Sequence, residues 1–270
     1  NGKNIALIGE DRETTIIDGG QNGSVVTFNS GEDSTSVLRG FTIENGNAND
    51  GAGIWVLSSS PKIENLIIQD NQAGYGGGLY FHEGSHSYVR NVIIRYNDAI
   101  YQAGGVYCNE FSNPKFEYVT IYNNSADNHT GGLLSDQNSY PELYNCTLSN
   151  NHSSPQINNN NITRAITLEN NGKIKITNSI IYGNNPDGIQ ISTNCANCFA
   201  DINYSVIGDG IYGEQGLTSL DSVIYENPQF TNPDNGDFTL QPSSPCIDAG
   251  DPNSPLDPDG TIADMGAYYY

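Results

Sequence analysis

The stretch that decides the fold is KIENLIIQDNQAGYGGGLYFHEG, residues 62–84, which is followed by YVRNVIIRYNDAIYQAGGVYCNE at 88–110. The two share a pattern of short apolar runs, an Asn after the first run, and a Gly-rich step into a second run. Working outward, the first run recurs as VLRGFTIENG (37–46), KFEYVTIYNN (115–124), ELYNCTLSNN (142–151), KITNSIIYGN (175–184) and DINYSVIGDG (201–210). The central anchors Ile43, Ile68, Ile94, Ile121, Leu148, Ile181 and Ile207 lie 25, 26, 27, 27, 33 and 26 residues apart. The second run recurs as GIWV at 53, GLYF at 78, GVYC at 105, GLLS at 132, AITL at 165 and GIQI at 188.

A unit of this length holds two or three short strands, and no such strand can bury an apolar face alone. Stacking successive units joins those faces into one column and pairs each strand with the next about 4.8 Å away. In each first run the second, fifth and seventh residues (Ile63, Leu66 and Ile68 in one unit) share the inner face if a bend or bulge intervenes. The spacing therefore predicts a parallel β-solenoid. Gly46, Asn71, Asn97, Asn124, Asn151, Asn184 and Gly210 occupy one equivalent position, where Asn is expected to take a left-handed turn conformation and to hydrogen-bond along the axis.

Composition agrees. The 270 residues include 30 Gly, 36 Asn and 17 Tyr, favouring turns and strands over helices. With 10 Lys+Arg against 31 Asp+Glu, a net charge of -21, and no cation after Lys175, the chain is a poor partner for nucleic acid or an anionic membrane. No apolar run approaches the roughly 20 residues of a membrane span.

The repeat resembles the right-handed parallel β-helix proteins of the pectin-lyase-like superfamily. That resemblance implies a right-handed, all-β solenoid of about eight coils over 1–228, with an irregular C-terminal cap or extension at 229–270 packed on the last coils. The end, from NPDNGDFTL to GAYYY, is similar to the C-terminal segment of bacterial secreted β-helix proteins, which often carry an anchoring or sorting tail. Those relatives usually have a preceding stretch that caps the first coil, so an open first coil is expected here. The resemblance also implies an extracellular or cell-surface location.

Three groups of residues are candidates for chemistry. The outward column Arg39, Glu64, Arg90, Glu117, Tyr144, Thr177 runs beside Val37, Lys62, Tyr88, Lys115, Glu142, Lys175, and with Arg95 on the same strand face gathers most of the cations. A polyuronate lyase needs a base and a charge-stabilising cation, for which Lys62, Arg90 and Lys115 are candidates, while a salt-bridged ladder is the structural alternative. The second group, Trp55, Tyr80 and Tyr107 with His82, Asn109 and Asp136, has the aromatic faces and polar neighbours of a sugar groove; the alternative is a stripe packed beneath a turn or a subunit. His82 and Asp136 lie two coils apart, too far for direct bonding. The third group, Asp251, Asp257, Asp259 and Asp264, resembles an oxygen-ligand calcium loop, in competition with simple turn capping. Cys108 and Cys146 fall at inward positions, and Cys195 and Cys198 suit a local disulfide.

The polygalacturonase and pectate-lyase motifs of the superfamily, GxSxG, HExxH and the P-loop are absent from the sequence. The leading expectation is a non-catalytic structural or adhesive β-helix module able to assemble into a fibre or surface layer, with no required cofactor. The alternative is a carbohydrate-active protein, either a polysaccharide lyase or a glycan binder.

Overall fold

The computed structural model describes residues 3–153, 164–184, 187–192, 195–208, 210–213 and 217–270. Each coil has three main limbs. The first is represented by Lys62–Glu64, the second by Ile67–Gln69 and the third by Leu79–His82; a side strand such as Gln72–Tyr75 bridges the second and third. The strand pairs of the three main limbs are parallel and in register, for example Ile63 with Leu38 and Val89, and Ile68 with Ile43 and Ile94, while the side strands Gln72–Tyr75 and Asp98–Gln102 pair with one register shift. The third limb forms an eight-stranded sheet, so about seven turns separate its first strand from its last, close to the expected eight coils. The long strand Phe199–Ile207 runs through the bend between first and second limbs and joins both into one sheet.

The bend explains the uneven spacing of the inward residues. Gly40, Asn65, Asn91, Tyr118, Asn145, Asn178 and Tyr204 all have positive φ, between 47° and 83°. Strand alternation alone would send Ile63 and Leu66 to opposite faces. One left-handed residue between them resets the phase, and Ile63, Leu66 and Ile68 are all fully buried. The core is the resulting set of columns, with Cys108 and Cys146 both inside it; burying each large aliphatic side chain contributes about 1.5–3 kcal/mol.

The Asn column lies inside as well. Asn71, Asn97, Asn124 and Asn151 are at most 1% exposed, and their amides form a continuous chain: Nδ2 of each donates to Oδ1 of the next at 2.9, 3.0, 3.0 and 3.1 Å, ending on Asn184. Each Oδ1 also accepts the backbone N–H of the preceding Asn, at 3.0–3.2 Å. The expectation that these Asn residues are themselves left-handed is corrected. Positive φ belongs to the residue before, Asp70, Tyr96, Asn123, Asn150 and Gly183, which turns the chain so that the Asn side chain enters the core. Close packing follows: a Cβ on Gly78 would stand 2.7 Å from the Gly105 carbonyl oxygen and 3.1 Å from Asn97 Nδ2.

After the last coil the chain makes a hairpin, Phe230–Asn232 with Asp237–Leu240, and runs back along the outer face of the second limb. Phe230, Phe238, Leu240, Cys246 and Met265 form a second apolar cluster with Tyr122, Ile180 and Val206. Polar ties continue along it: Asn178 Oδ1 accepts the Asp251 amide at 2.8 Å, Asn145 Nδ2 donates to the Asp264 carbonyl at 2.9 Å, and Thr120 Oγ1 donates to the Tyr268 hydroxyl at 3.1 Å. The extension is thus a strap along the flank, and its reach goes well beyond the last coils on which packing was expected. Cys195 and Cys198 are disulfide-bonded. In the first coil Ile5, Leu7, Ile8 and Ile16 remain exposed.

Replacing Asn124 with Ala removes a buried amide that two donors of Asn97 and three acceptors share. The substitution should cost about 3 kcal/mol in urea denaturation, since it orphans several buried groups, whereas Asn22→Ala, at an exposed position without a left-handed backbone, should cost under about 0.5 kcal/mol.

Candidate functional site

The outward face of the first limb carries two columns in strict register, Arg39–Glu64–Arg90–Glu117–Tyr144 and Val37–Lys62–Tyr88–Lys115–Glu142. The charges alternate as expected, but ion pairing does not run up the stack. Among the described residues, Lys115–Glu117 at 2.7 Å is the pair formed within these columns, and Arg39, Lys62 and Arg90 take part in none. Glu117 also accepts a short hydrogen bond from the Tyr88 hydroxyl. Burial raises the Glu117 carboxyl, yet the bonds from Lys115 and Tyr88 and the charges of Lys115 and Arg90 outweigh it and hold it below the ordinary range. Burial, reinforced by Glu117, pushes Tyr88 up to about 12.

This geometry splits the lyase candidates. Lys115 is committed to Glu117 and lies 4.7 Å from the Tyr144 ring centroid, so it is a charged structural partner and not a free base. Lys62 and Lys115 share the outer column, while Arg90 stands in the other, next to the bend.

On that side the strap closes a cleft of about 720 Å³, lined by Arg39, Glu64, Arg90 and Tyr118 from the coils and by Leu256, Asp257, Tyr268 and Tyr269 from the strap. Arg12 borders it, donating to the Asn91 carbonyl at 3.0 Å. The Arg90 guanidinium carbon sits 5.6 Å from the Tyr118 ring centroid. Burial raises both Tyr118 and Asp257, and nearby Asp264, Asp259 and Asp248 push Asp257 further up. Two unpaired guanidiniums beside tyrosine rings suit a ligand with carboxylates and apolar ring faces. Sequence reading found the arginine column but missed Tyr268, Tyr269 and Asp257 as its neighbours, because the strap joins them across a separation of more than a hundred residues; it missed Tyr118 because the left-handed backbone of that bend residue turns it to that side.

The aromatic stripe is not an open groove. Tyr80 and Tyr107 are stacked in register, 4.8 Å between centroids, and only 5% and 3% exposed, beneath Tyr75 and Ala103. Trp55 is half-buried against them. The two ring faces expected to stack on sugar are covered by the adjoining turn, which corrects that reading. Their hydroxyls are used internally: Tyr107 donates to Asp136 Oδ2 at 2.9 Å, and Asn109 Nδ2 donates to the Tyr80 hydroxyl at 3.3 Å. Burial pushes Tyr80 up to about 12 and, with Asp136, raises Tyr107 strongly. Asp136 is 3% exposed and also accepts from Asn170 Nδ2 at 2.7 Å; His82 is not among its partners and instead faces Glu110 at 3.5 Å.

The tail aspartates do not converge. Asp251 caps Asn253, Asp259 caps Thr261, Asp257 accepts the Asp264 amide at 2.7 Å, and Asp264 accepts the amides of Asp248 and Tyr270 at 2.7 and 2.6 Å. Asp251 and Asp259 cap local turns, while Asp257 and Asp264 tie together backbone from separate parts of the segment, so the four do not gather as the expected calcium loop. Among the described residues, the side chains whose donor atoms gather as metal ligands are His82, Glu83 and Glu110.

The sequence matches the family model described as Right handed beta helix region over residues 12–162 and 78–246. The chain therefore belongs to the right-handed β-helix family. The crystal structure of pectate lyase Pel9A is similar to it, with a TM-score of 0.51 and 15% identity over 99% of this chain and 86% of that one, a likeness of fold. No curated protein matches the sequence. No helix among the described residues is long and apolar enough to cross a membrane.

Since the stripe is internal, Tyr107→Phe should act on stability: it leaves the buried Asp136 oxygen without its donor and should cost about 2 kcal/mol in urea denaturation.

Proposed function

We propose that this chain is an extracellular β-helix module of adhesive type that holds an acidic glycan in the cleft between the Arg39–Glu64–Arg90 column and the strap, without turning it over. The observation that carries the reading is the placement of Arg39 and Arg90. In a protein of net charge -21, these two cations form no ion pair with the described carboxylates and line a cleft walled by Tyr118, Tyr268 and Tyr269. Guanidiniums bind carboxylates through paired hydrogen bonds, and tyrosine rings take the apolar faces of sugars. The absence of turnover is inferred from the commitment of Lys115 to Glu117 and from the lack of superfamily catalytic motifs in the sequence.

Titrating oligouronides into the protein should give binding heat that weakens with added salt. Arg39→Ala and Arg90→Ala should each lower affinity by about tenfold, about 1.4 kcal/mol. No unsaturated product should accumulate in the same solutions. Absence of binding would remove the glycan reading, and growth of product absorbance would establish a lyase instead.

The pH dependence has a definite sign. Asp257, held above the ordinary carboxyl range, loses its charge earlier than an ordinary aspartate as pH falls, while the guanidiniums keep theirs. Repulsion of an acidic ligand therefore drops as pH falls below 7, at a higher pH than for an ordinary aspartate, and affinity rises. Asp257→Asn keeps an oxygen to accept the Asp264 amide but carries no charge, so it should bind more tightly than the parent at pH 7 and show a flatter pH profile in calorimetry.

A further inference from the structure

The third limb ends at a turn, outside the cleft lining, whose positive-φ residues stack as Ser58, Glu83, Glu110, Gln137 and Asn170, with φ of 47°, 53°, 49°, 45° and 45°. In the second of these coils the residue before the turn is His82, the last of its strand. In an extended strand His82 and Glu83 would point to opposite faces. The left-handed backbone at Glu83 brings its carboxylate round to the imidazole side, and the same turn one coil on brings Glu110. The turns are held together by the Gly84 amide donating to the Glu110 carbonyl at 2.8 Å and the Asn109 amide donating to the Phe81 carbonyl at 2.9 Å. As a result, one donor atom from each of His82, Glu83 and Glu110 lies within 4.8 Å of the others.

The groups are oriented by their surroundings. The His82 ring stacks on buried Tyr80, 5.2 Å between centroids and 15° between planes, and Tyr80 is itself fixed by Asn109 and Tyr107. Glu83 Oε2 accepts from Ser58 Oγ at 3.0 Å, leaving its other oxygen free to ligate. His82 Nε2 and Glu110 Oε2 stand 3.5 Å apart. That exceeds the ordinary N–H···O range of about 2.7–3.2 Å. It is close to the edge of about 3.4 Å expected for a tetrahedron around an ion with bonds of about 2.1 Å.

We propose that His82, Glu83 and Glu110 form a three-ligand site for a divalent transition-metal ion, with zinc the best match. One imidazole with two carboxylates is a donor set for zinc and its neighbours, whereas calcium and magnesium take oxygen ligands in larger number. Three protein ligands leave a fourth position open to water or an external donor. The ion links two successive coils at the turn, and the net negative charge of the protein favours its capture. The site lies outside the cleft and does not depend on the glycan reading.

The test is a calorimetric titration of metal-free, untagged protein with zinc chloride, with calcium chloride in parallel. One equivalent of zinc should bind, with no comparable heat from calcium, and cobalt in its place should give visible d–d bands. His82→Asn and Glu110→Gln should each weaken zinc binding by at least about tenfold and abolish the cobalt spectrum. Their metal-free melting midpoints should stay close to the parent, because both side chains are partly exposed and Tyr80, on which His82 stacks, stays held by Asn109 and Tyr107. Zinc uptake that survives both substitutions, placing the ion at His86, His129 or His152, would overturn the assignment, as would no uptake at all.

Discussion

Parallel in-register stacking is the constraint on which everything else in this molecule rests. Once each coil pairs with the next at strand spacing, every residue is placed against its own equivalent, and any inward group must be satisfied by a copy of itself. Aliphatic residues meet this trivially. Asparagine meets it because its amide is donor and acceptor at once, so Asn71 through Asn184 pass a hydrogen bond from coil to coil inside the core. A carboxylate or an ammonium at that position would face its own charge at the same distance.

The outward columns follow the same rule with the opposite outcome. Stacking like on like would accumulate charge, and the chain avoids it by alternating Arg39, Glu64, Arg90 and Glu117. Alternation does not require contact. Lys115 and Tyr88 engage Glu117, which leaves Arg39 and Arg90 exposed beside the bend. The strap then converts that flat face into a cleft. It is held by apolar packing, chiefly Phe230, Phe238 and Met265 on Tyr122, Ile180 and Val206, and by Asn side chains that turn from the bends to meet its backbone.

Legibility of the sequence was uneven for physical reasons. The repeat length, the inward columns and the local Cys195–Cys198 bond were readable because they depend on local spacing. The left-handed position was misplaced by one residue, since Asn tolerates that conformation and also fits a core ladder, and only the packing separates the two uses. The strap had a signal that went unread. Doublets such as Ile93–Ile94, Ile180–Ile181 and Val206–Ile207 put an apolar residue on both faces of a short strand, and an outward apolar column needs a cover.

The site residues divide along the same line. Trp55, Tyr80 and Tyr107 were correctly aligned in one stack, but whether a stacked ring faces solvent or lies under a turn depends on the path of the chain between limbs, which here brings Tyr75 and Ala103 over them. The four tail aspartates were close in sequence, yet each is engaged with backbone amides, Asp251 and Asp259 in their own turns and Asp257 and Asp264 across the segment. The sequence by itself determined a parallel, Asn-laddered solenoid with its cations gathered on one limb, because repetition and alternation are local properties. Only the tertiary structure decided that the tail returns along the flank, that Arg39 and Arg90 stay unpaired in a cleft with Tyr118 and Asp257, and that His82 meets Glu83 and Glu110. Those meetings rest on long-range packing and on single left-handed residues, which local spacing does not encode.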